Sequence, residues 1–110
     1  MVYIIHSDRW VESVEIIEKF LIDMREPLIN DRFILQNRND NANTQTLLDL
    51  NFDRNDIIQE LLGLKLEEYV YTTRDKKFPK ENPYNVFHKD IKSKEIYIKI
   101  KIKENLFLKK

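Results

Sequence analysis

Residues 95–103, with the sequence Glu-Ile-Tyr-Ile-Lys-Ile-Lys-Ile-Lys, alternate polar and apolar side chains without interruption. Isoleucine occupies every second position, and a glutamate, a tyrosine and three lysines fill the positions between. Only a β-strand separates these two sets, because successive side chains of a strand point to opposite faces. The pattern therefore predicts a strand with a buried isoleucine face and an exposed face that carries Tyr97, Lys99 and Lys101.

The sequence around this segment predicts two more strands, over about 84–91 and 106–109. Lys92-Ser93 and Glu104-Asn105 mark the turns between the three strands. The C-terminal third of the chain should therefore form an antiparallel β-meander.

Most of the first two thirds reads as helix and loop. A short strand over 2–5 precedes a helix over roughly 9–24, which Asp8 or Ser7 caps and Pro27 ends. Further expected elements are a polar loop over 30–46, a short helix over 44–50, a helix over 54–62 capped by Asp53, a left-handed Gly63, a helical turn over 66–69 and a basic loop over 72–83. These elements predict an α+β fold, a compact single domain over 1–110 whose C-terminal meander packs against N-terminal helices.

Composition excludes several classes of protein. The chain has 110 residues, no cysteine, one glycine and two histidines. A disulfide framework, a cysteine zinc site and glycine-rich nucleotide loops are therefore absent, and we expect no cofactor and no metal. The apolar runs are short and no signal-peptide pattern opens the chain, so we expect no membrane span and a cytoplasmic location.

Charge is divided unevenly along this neutral chain. Residues 1–73 contain 7 Lys or Arg and 14 Asp or Glu, whereas residues 74–110 contain 12 Lys or Arg and 5 Asp or Glu. Positive charge concentrated in one third of a small domain attracts phosphates or an acidic partner. The alternative is that these lysines only protect exposed strand edges from aggregation.

Several segments of the chain follow one another in a recognisable order. They are Leu47-Leu48-Asp-Leu50-Asn-Phe52-Asp53, Ile58-x-x-Leu61-Leu-Gly-Leu64, Tyr69, Asp75, Val86-Phe87-x-Lys89 and Glu95-Ile-Tyr-Ile-Lys-Ile100. In their order and their residues, these segments resemble the MqsR family of bacterial toxins. The resemblance covers roughly residues 44–103, and the strand motif that contains Tyr-x-Lys is its most specific part.

The resemblance implies a RelE-like fold, metal-independent cleavage of mRNA and neutralisation by a cognate antitoxin protein. The active-site tyrosine of the family falls on Tyr97, and its C-terminal lysine falls on Lys109 or, alternatively, on Lys110. A family lysine is replaced by Tyr71, and a family glutamine falls near Tyr84, which we include among the RNA-binding residues.

Metal-free RNA cleavage requires deprotonation of a 2′-hydroxyl, stabilisation of the phosphorane and protonation of the leaving oxygen. Lys99, Lys101 and Lys109 are candidates for the positive charge, and Tyr97 for alignment of the phosphate or proton transfer. His88 is a further catalytic candidate, because histidine ordinarily changes protonation near neutral pH. Basic side chains outside the strands are expected to contact RNA phosphates. They are Arg74, Lys76 and Lys77.

Two other classes of function remain open at this stage. A non-catalytic module could bind RNA or protein through the same basic sheet, or the acidic and basic parts could mediate self-assembly. On the exposed strand face, Lys101→Ala is expected to change stability by no more than about 0.5 kcal/mol.

Overall fold

A four-stranded antiparallel sheet organises the protein. The computed structural model describes residue 2 and residues 8–35 and 47–103. The strands are β1 (Arg9–Trp10), β2 (Tyr69–Thr73), β3 (Tyr84–Ile91) and β4 (Lys94–Ile100), and their order in the sheet is that of the sequence. Each strand thus pairs with its sequence neighbour, although 58 residues separate β1 from β2.

The β3–β4 hairpin is the most regular part of the sheet. Its register is uninterrupted from Asn85 opposite Ile100 to Ile91 opposite Lys94. Lys92 and Ser93 form the turn with φ angles of 53° and 63°. Positive φ at both positions is typical of the two-residue type I′ turn, whose twist matches that of the adjoining strands. The predicted turn is therefore confirmed.

Three helices pack on one side of this sheet, namely α1 (Val14–Asp23), α2 (Arg25–Ile29) and α3 (Arg54–Leu62). Ser13 caps α1 by accepting a hydrogen bond from the Ile16 amide. Asp53 caps α3 in a reciprocal capping box with Asp56, as the sequence predicts for the start of that helix. Short 3₁₀ segments lie at Leu47–Leu50 and Leu66–Glu68.

The core lies between the helices and what we call the inner face of the sheet. Phe87 and Ile96 are fully buried on this face, and Phe20 of α1 stacks on Phe87 with 6.2 Å between ring centroids. Ile98 is also buried and Ile100 is partly buried, which confirms the isoleucine face inferred from the alternating pattern.

A chain of hydrogen bonds satisfies the polar groups on the inner face. The Glu12 amide donates to the Tyr69 hydroxyl at 3.0 Å, Tyr69 contacts the Thr72 hydroxyl at 2.6 Å, and Thr72 donates to Asn85 Oδ1 at 2.6 Å. A threonine hydroxyl carries one hydrogen, which Thr72 gives to Asn85. Tyr69 must therefore be the donor to Thr72, which defines the donor and the acceptor in each of these hydrogen bonds. The hydrogen-bond chain links the segment after β1 to β2 and β3.

Several predicted boundaries are wrong. Arg9 and Trp10 pair with Thr73 and Thr72 of β2, so α1 begins only after Ser13. Pro27 lies in the first turn of α2, where a missing N–H costs no intrahelical hydrogen bond, and α1 ends at Asp23. The pairing of β1 with β2 outweighs the helical spacing of the apolar residues around Trp10.

Other corrections concern later segments. Residues 69–73 form β2, which the sequence analysis missed, and β4 ends at Ile100 rather than at 103. Gly63 has φ −87°, so it is not left-handed. The strand expected over 106–109, most of that expected over 2–5, and residues 36–46 of the polar loop lie outside the described residues.

The described residues form a single α+β domain, with helices on one side of an antiparallel sheet. No helix within 8–35 or 47–103 is long and apolar enough to cross a bilayer.

Candidate functional site on the outer face of the sheet

The sheet surface opposite the core, which we call the outer face, carries four of the predicted site residues, namely Tyr84, His88, Tyr97 and Lys99. Strand register fixes its membership, because side chains opposite each other in neighbouring strands share a face. The outer face consists of Arg9, Tyr71, Thr73, Tyr84, Val86, His88, Asp90, Glu95, Tyr97 and Lys99.

His88 and Tyr97 form a cross-strand pair at the centre of the β3–β4 hairpin. Their Cα atoms are register partners, and their ring centroids lie 4.7 Å apart with 46° between the ring planes. Tyr97 is 43% exposed, whereas His88 is partly buried and its Nε2 has no hydrogen-bond partner among the described residues. His88 faces away from the core, since the preceding Phe87 is fully buried on the inner face.

Two cations on the rest of the outer face each lie over an aromatic ring. The Lys99 Nζ lies 4.9 Å from the centroid of the Tyr84 ring, and the Arg9 guanidinium carbon lies 4.5 Å from the centroid of the Tyr71 ring. Lys99 follows Tyr97 on the same side of β4, so its Cα lies about 7 Å along the strand from that of Tyr97. This combination of rings and cations is suited to a nucleic-acid strand.

Arg74, Lys76 and Lys77 occupy the loop between β2 and β3, and all three are exposed. The Arg74 amide donates to the Asp8 carbonyl, and the Lys76 ammonium lies 3.4 Å from the Asp8 carboxylate. The loop follows Thr73, which pairs with Tyr84, so it adjoins the Tyr84 end of the outer face. The loop that carries these three cations thus lies beside Tyr84, the sheet residue that we include among the RNA-binding residues.

The prediction that the Lys101 side chain is exposed is wrong. The side chain is 6% exposed, and its ammonium contacts the Asp75 carboxylate at 2.6 Å and also the Glu81 carboxylate. The loop after β2 reaches Lys101 because Asp75 accepts hydrogen bonds from the Lys77 and Phe78 amides, which fixes its carboxylate inside the loop. Contact of Lys101 with RNA stays a prediction, but two carboxylates offset the charge on which it rested.

Electrostatic coupling keeps this cluster ionised. The hydrogen bond from Lys101 lowers the pKa of Asp75 from 3.8 to about 2; burial opposes the change, and the Phe78 and Lys77 amides add to it. Burial alone would lower the pKa of Lys101, but hydrogen bonds from its ammonium to Asp75 and Glu81 outweigh burial and raise it. Lys101 therefore serves as a fixed link between β4 and the basic loop.

Two acidic residues of the outer face were not among the predicted site residues. Asp90 and Glu95 are opposite each other in the hairpin, and their carboxylate oxygens and a ring nitrogen of His88 all lie within 4.8 Å of one another. The turn at Lys92-Ser93 was the available signal, because pairing outward from a two-residue turn sets 90 opposite 95. Similarly, the β-branched and aromatic run Tyr-Val-Tyr-Thr-Thr over 69–73 was the available signal for β2 and for the placement of Tyr71.

Lys109 lies outside the described residues. A site shared by Tyr97 and Lys109 therefore stays a prediction. Comparisons of the chain with protein-family models, curated proteins and solved structures found no match.

Proposed function

We propose that this protein is a metal-independent endoribonuclease that cleaves single-stranded mRNA, with its active site on the outer face of the sheet. The observation that carries the proposal is the His88–Tyr97 pair, which stands beside the positive charge of Lys99 on that face. The similarity of the strand motif to MqsR toxins supports the same activity. On this proposal the fold is RelE-like, and the protein is the cytoplasmic toxin of a pair whose antitoxin holds it inactive.

The proposed reaction is attack of an RNA 2′-oxygen on the adjacent phosphorus. A bond forms between these atoms, the bond from phosphorus to the 5′-oxygen breaks, and the products are a 2′,3′-cyclic phosphate and a 5′-hydroxyl. The 2′-hydroxyl loses a proton and the 5′-oxygen gains one, so the chemistry needs no redox partner. On this proposal His88, whose ring packs against Tyr97 on the outer face, makes one of these proton transfers.

Stabilisation of the charge on the phosphorane is the second requirement of the reaction. On this proposal the Lys99 ammonium balances this charge, and the Tyr97 hydroxyl donates a hydrogen bond to a non-bridging oxygen. Bases on either side of the scissile phosphate would stack on Tyr84 and Tyr71, as unpaired RNA bases stack on aromatic side chains. Arg74, Lys76 and Lys77 would hold the neighbouring phosphates in the loop beside Tyr84.

Tyr97→Phe tests the catalytic site. It removes one hydroxyl and keeps the ring against His88, so cleavage of a 5′-labelled single-stranded RNA should slow by about 10²–10³-fold, the usual effect of losing one transition-state hydrogen bond. The melting temperature should stay unchanged. Expression of wild type, but not of Tyr97→Phe, should arrest bacterial growth.

Tyr71→Phe is the matched control, because it removes a hydroxyl from the same face two strands away. Its cleavage rate should stay within tenfold of wild type, and wild-type cleavage should persist in EDTA and leave a cyclic phosphate end. Equal rates for wild type and Tyr97→Phe would contradict the proposed site, as would a requirement for added metal.

A non-catalytic RNA-binding module is the second candidate, favoured by the two pairs of a cation and an aromatic ring on the outer face. Affinity for single-stranded RNA should fall steeply with salt, because phosphate contacts release counterions. Lys99→Ala should reduce the slope of log K against log salt by about 0.7, the value for one phosphate contact to a single strand. Lys94→Ala, which changes an exposed lysine on the inner-face side of the same strand, should leave the slope unchanged.

Binding without cleavage by wild type would favour this second candidate over the nuclease. An unchanged slope in Lys99→Ala, or an equal change in Lys94→Ala, would count against RNA binding by the outer face in either case.

A further inference from the structure

Three side chains with metal-binding atoms converge at the turn end of the β3–β4 hairpin. They are His88, Asp90 and Glu95, and one donor atom from each lies within 4.8 Å of the others. Backbone geometry explains the cluster. His88 and Asp90 lie two residues apart on one side of β3, and Glu95 is the register partner of Asp90 on the same side of β4.

The imidazole of His88 is the most constrained member of this cluster. Tyr97 packs against it at 4.7 Å between centroids, and its Nε2 is shielded from solvent without a hydrogen-bond partner among the described residues. A shielded polar atom without a partner is costly in a folded protein. Either ring nitrogen of a histidine can bind a metal ion, so a cation in the cluster gives the ring a partner that the described side chains do not supply.

Both carboxylates of the cluster are also available for a ligand. Within the described part of the chain, neither the Asp90 nor the Glu95 side chain takes part in an ion pair or a hydrogen bond, and both residues are exposed. By contrast, the acidic side chains at the opposite end of the hairpin are engaged, because Asp75 and Glu81 contact Lys101. Two unengaged carboxylates side by side repel each other, and a cation between them removes that repulsion.

We propose that His88, Asp90 and Glu95 bind a divalent transition-metal cation, with Zn²⁺ as the best fit. One imidazole nitrogen and two carboxylate oxygens suit Zn²⁺, which takes such ligands at about 2.0–2.2 Å. Mg²⁺ and Ca²⁺ favour sites made of oxygen alone, so the histidine selects against them. This site departs from the expectation, drawn from composition, that the chain has no metal site.

Coordination requires the three donors to approach one another more closely than they do without the cation. The exposed side chains of Asp90 and Glu95 supply this movement by rotation, whereas Tyr97 keeps His88 in place. Two carboxylates balance the charge of the cation, and three protein ligands leave a fourth position for water. The regular hairpin holds all three Cα positions, so binding needs no change in the backbone.

The same cation has a consequence for the proposed nuclease, and this part rests on the proposed function. A metal-bound His88 is not available to transfer a proton to or from RNA. Zn²⁺ should therefore inhibit cleavage, and EDTA should restore it.

Calorimetric titration of the metal-stripped full-length chain with Zn²⁺ tests the site. We expect one Zn²⁺ per chain, no heat of binding with Mg²⁺, and shifts of the His88 ring signals in NMR spectra. His88→Ala and Glu95→Gln should each weaken Zn²⁺ binding by more than about 100-fold, because loss of a supporting residue around a metal site alone costs about 10–100-fold.

Two control variants separate this site from adventitious binding. His6→Ala changes the other histidine of the chain, and Glu67→Gln changes an exposed carboxylate near β2; both should bind Zn²⁺ as wild type does. Circular dichroism establishes that each variant is folded. If His88→Ala does not fold, Glu95→Gln still tests the site, because Glu95 is exposed. Absence of Zn²⁺ binding by wild type, or wild-type affinity in folded His88→Ala or Glu95→Gln, would overturn the proposal.

The binding assay tests the metal site and the cleavage assay tests the nuclease, so the two proposals can fail independently. Zn²⁺ binding by a protein that cleaves no RNA would leave the metal site intact and remove the nuclease. Cleavage by a protein that binds no Zn²⁺ would do the reverse.

Discussion

Phe87→Ala should lower the free energy of unfolding by about 3–5 kcal/mol, the range for truncating a buried phenylalanine. Phe87 is fully buried, stacks on Phe20 and meets the edge of Tyr69 with 5.8 Å between centroids. Because its neighbours come from α1, β2 and β4, no single element can shift to fill the space. The loss is a large part of the total stability of about 5–15 kcal/mol typical of a domain.

Urea denaturation measures this change, and Phe78→Ala provides the control. Phe78 is 46% exposed in the loop between β2 and β3, so its truncation should cost less than about 1 kcal/mol. Similar losses in the two variants would show that Phe87 does not hold the helices to the sheet.

Lys101→Ala should also destabilise the protein strongly, by about 3 kcal/mol, the lower end of the range for breaking a buried ion pair. The reason is that removal of the ammonium leaves two carboxylates close together without a counter-charge. The lower end applies because Glu81 is 37% exposed and water partly replaces the lost contact. This outcome reverses the near-zero effect that the alternating pattern predicts for Lys101.

Lys94→Ala is the control, since it removes an exposed lysine from the same hairpin. Its melting temperature should match that of wild type, whereas that of Lys101→Ala should fall by several degrees. Equal melting temperatures for wild type and Lys101→Ala would show that the ion pairs with Asp75 and Glu81 contribute no net stability.

Acid titration provides a second measurement of the same cluster. The folded-state pKa of Asp75 is about 2, below its ordinary value of 3.8. A depressed carboxyl pKa stabilises the folded state above the unfolded pKa, and this contribution is lost as pH falls from about 4 towards 2. Stability of wild type should therefore decline across that interval more steeply than stability of Lys101→Ala, which lacks the main cause of the depressed pKa.

Local features that depend on neighbouring residues were predictable from the sequence. The alternation over 95–103 identified β4 and its buried isoleucines, because side-chain period is a property of the strand itself. Likewise, Asp53 and Lys92-Ser93 identified the start of α3 and the hairpin turn, since caps and two-residue turns are built from a few adjacent residues. Tyr97 and Lys99 were placed on the outer face by the same local argument.

Features that depend on contacts between distant segments were decided by the tertiary structure. Trp10 lies in a strand rather than a helix because β2 pairs with it, and the pairing partner is about 60 residues away. Lys101 is buried because a loop 20 to 26 residues earlier brings two carboxylates to it. Glu95 approaches His88 only when β3 and β4 adopt their register. Within a regularly alternating strand such as β4, the sequence alone determines which face a side chain takes. Tertiary packing decides what that side chain contacts, because loop closure joins residues whose spacing carries no periodic signal.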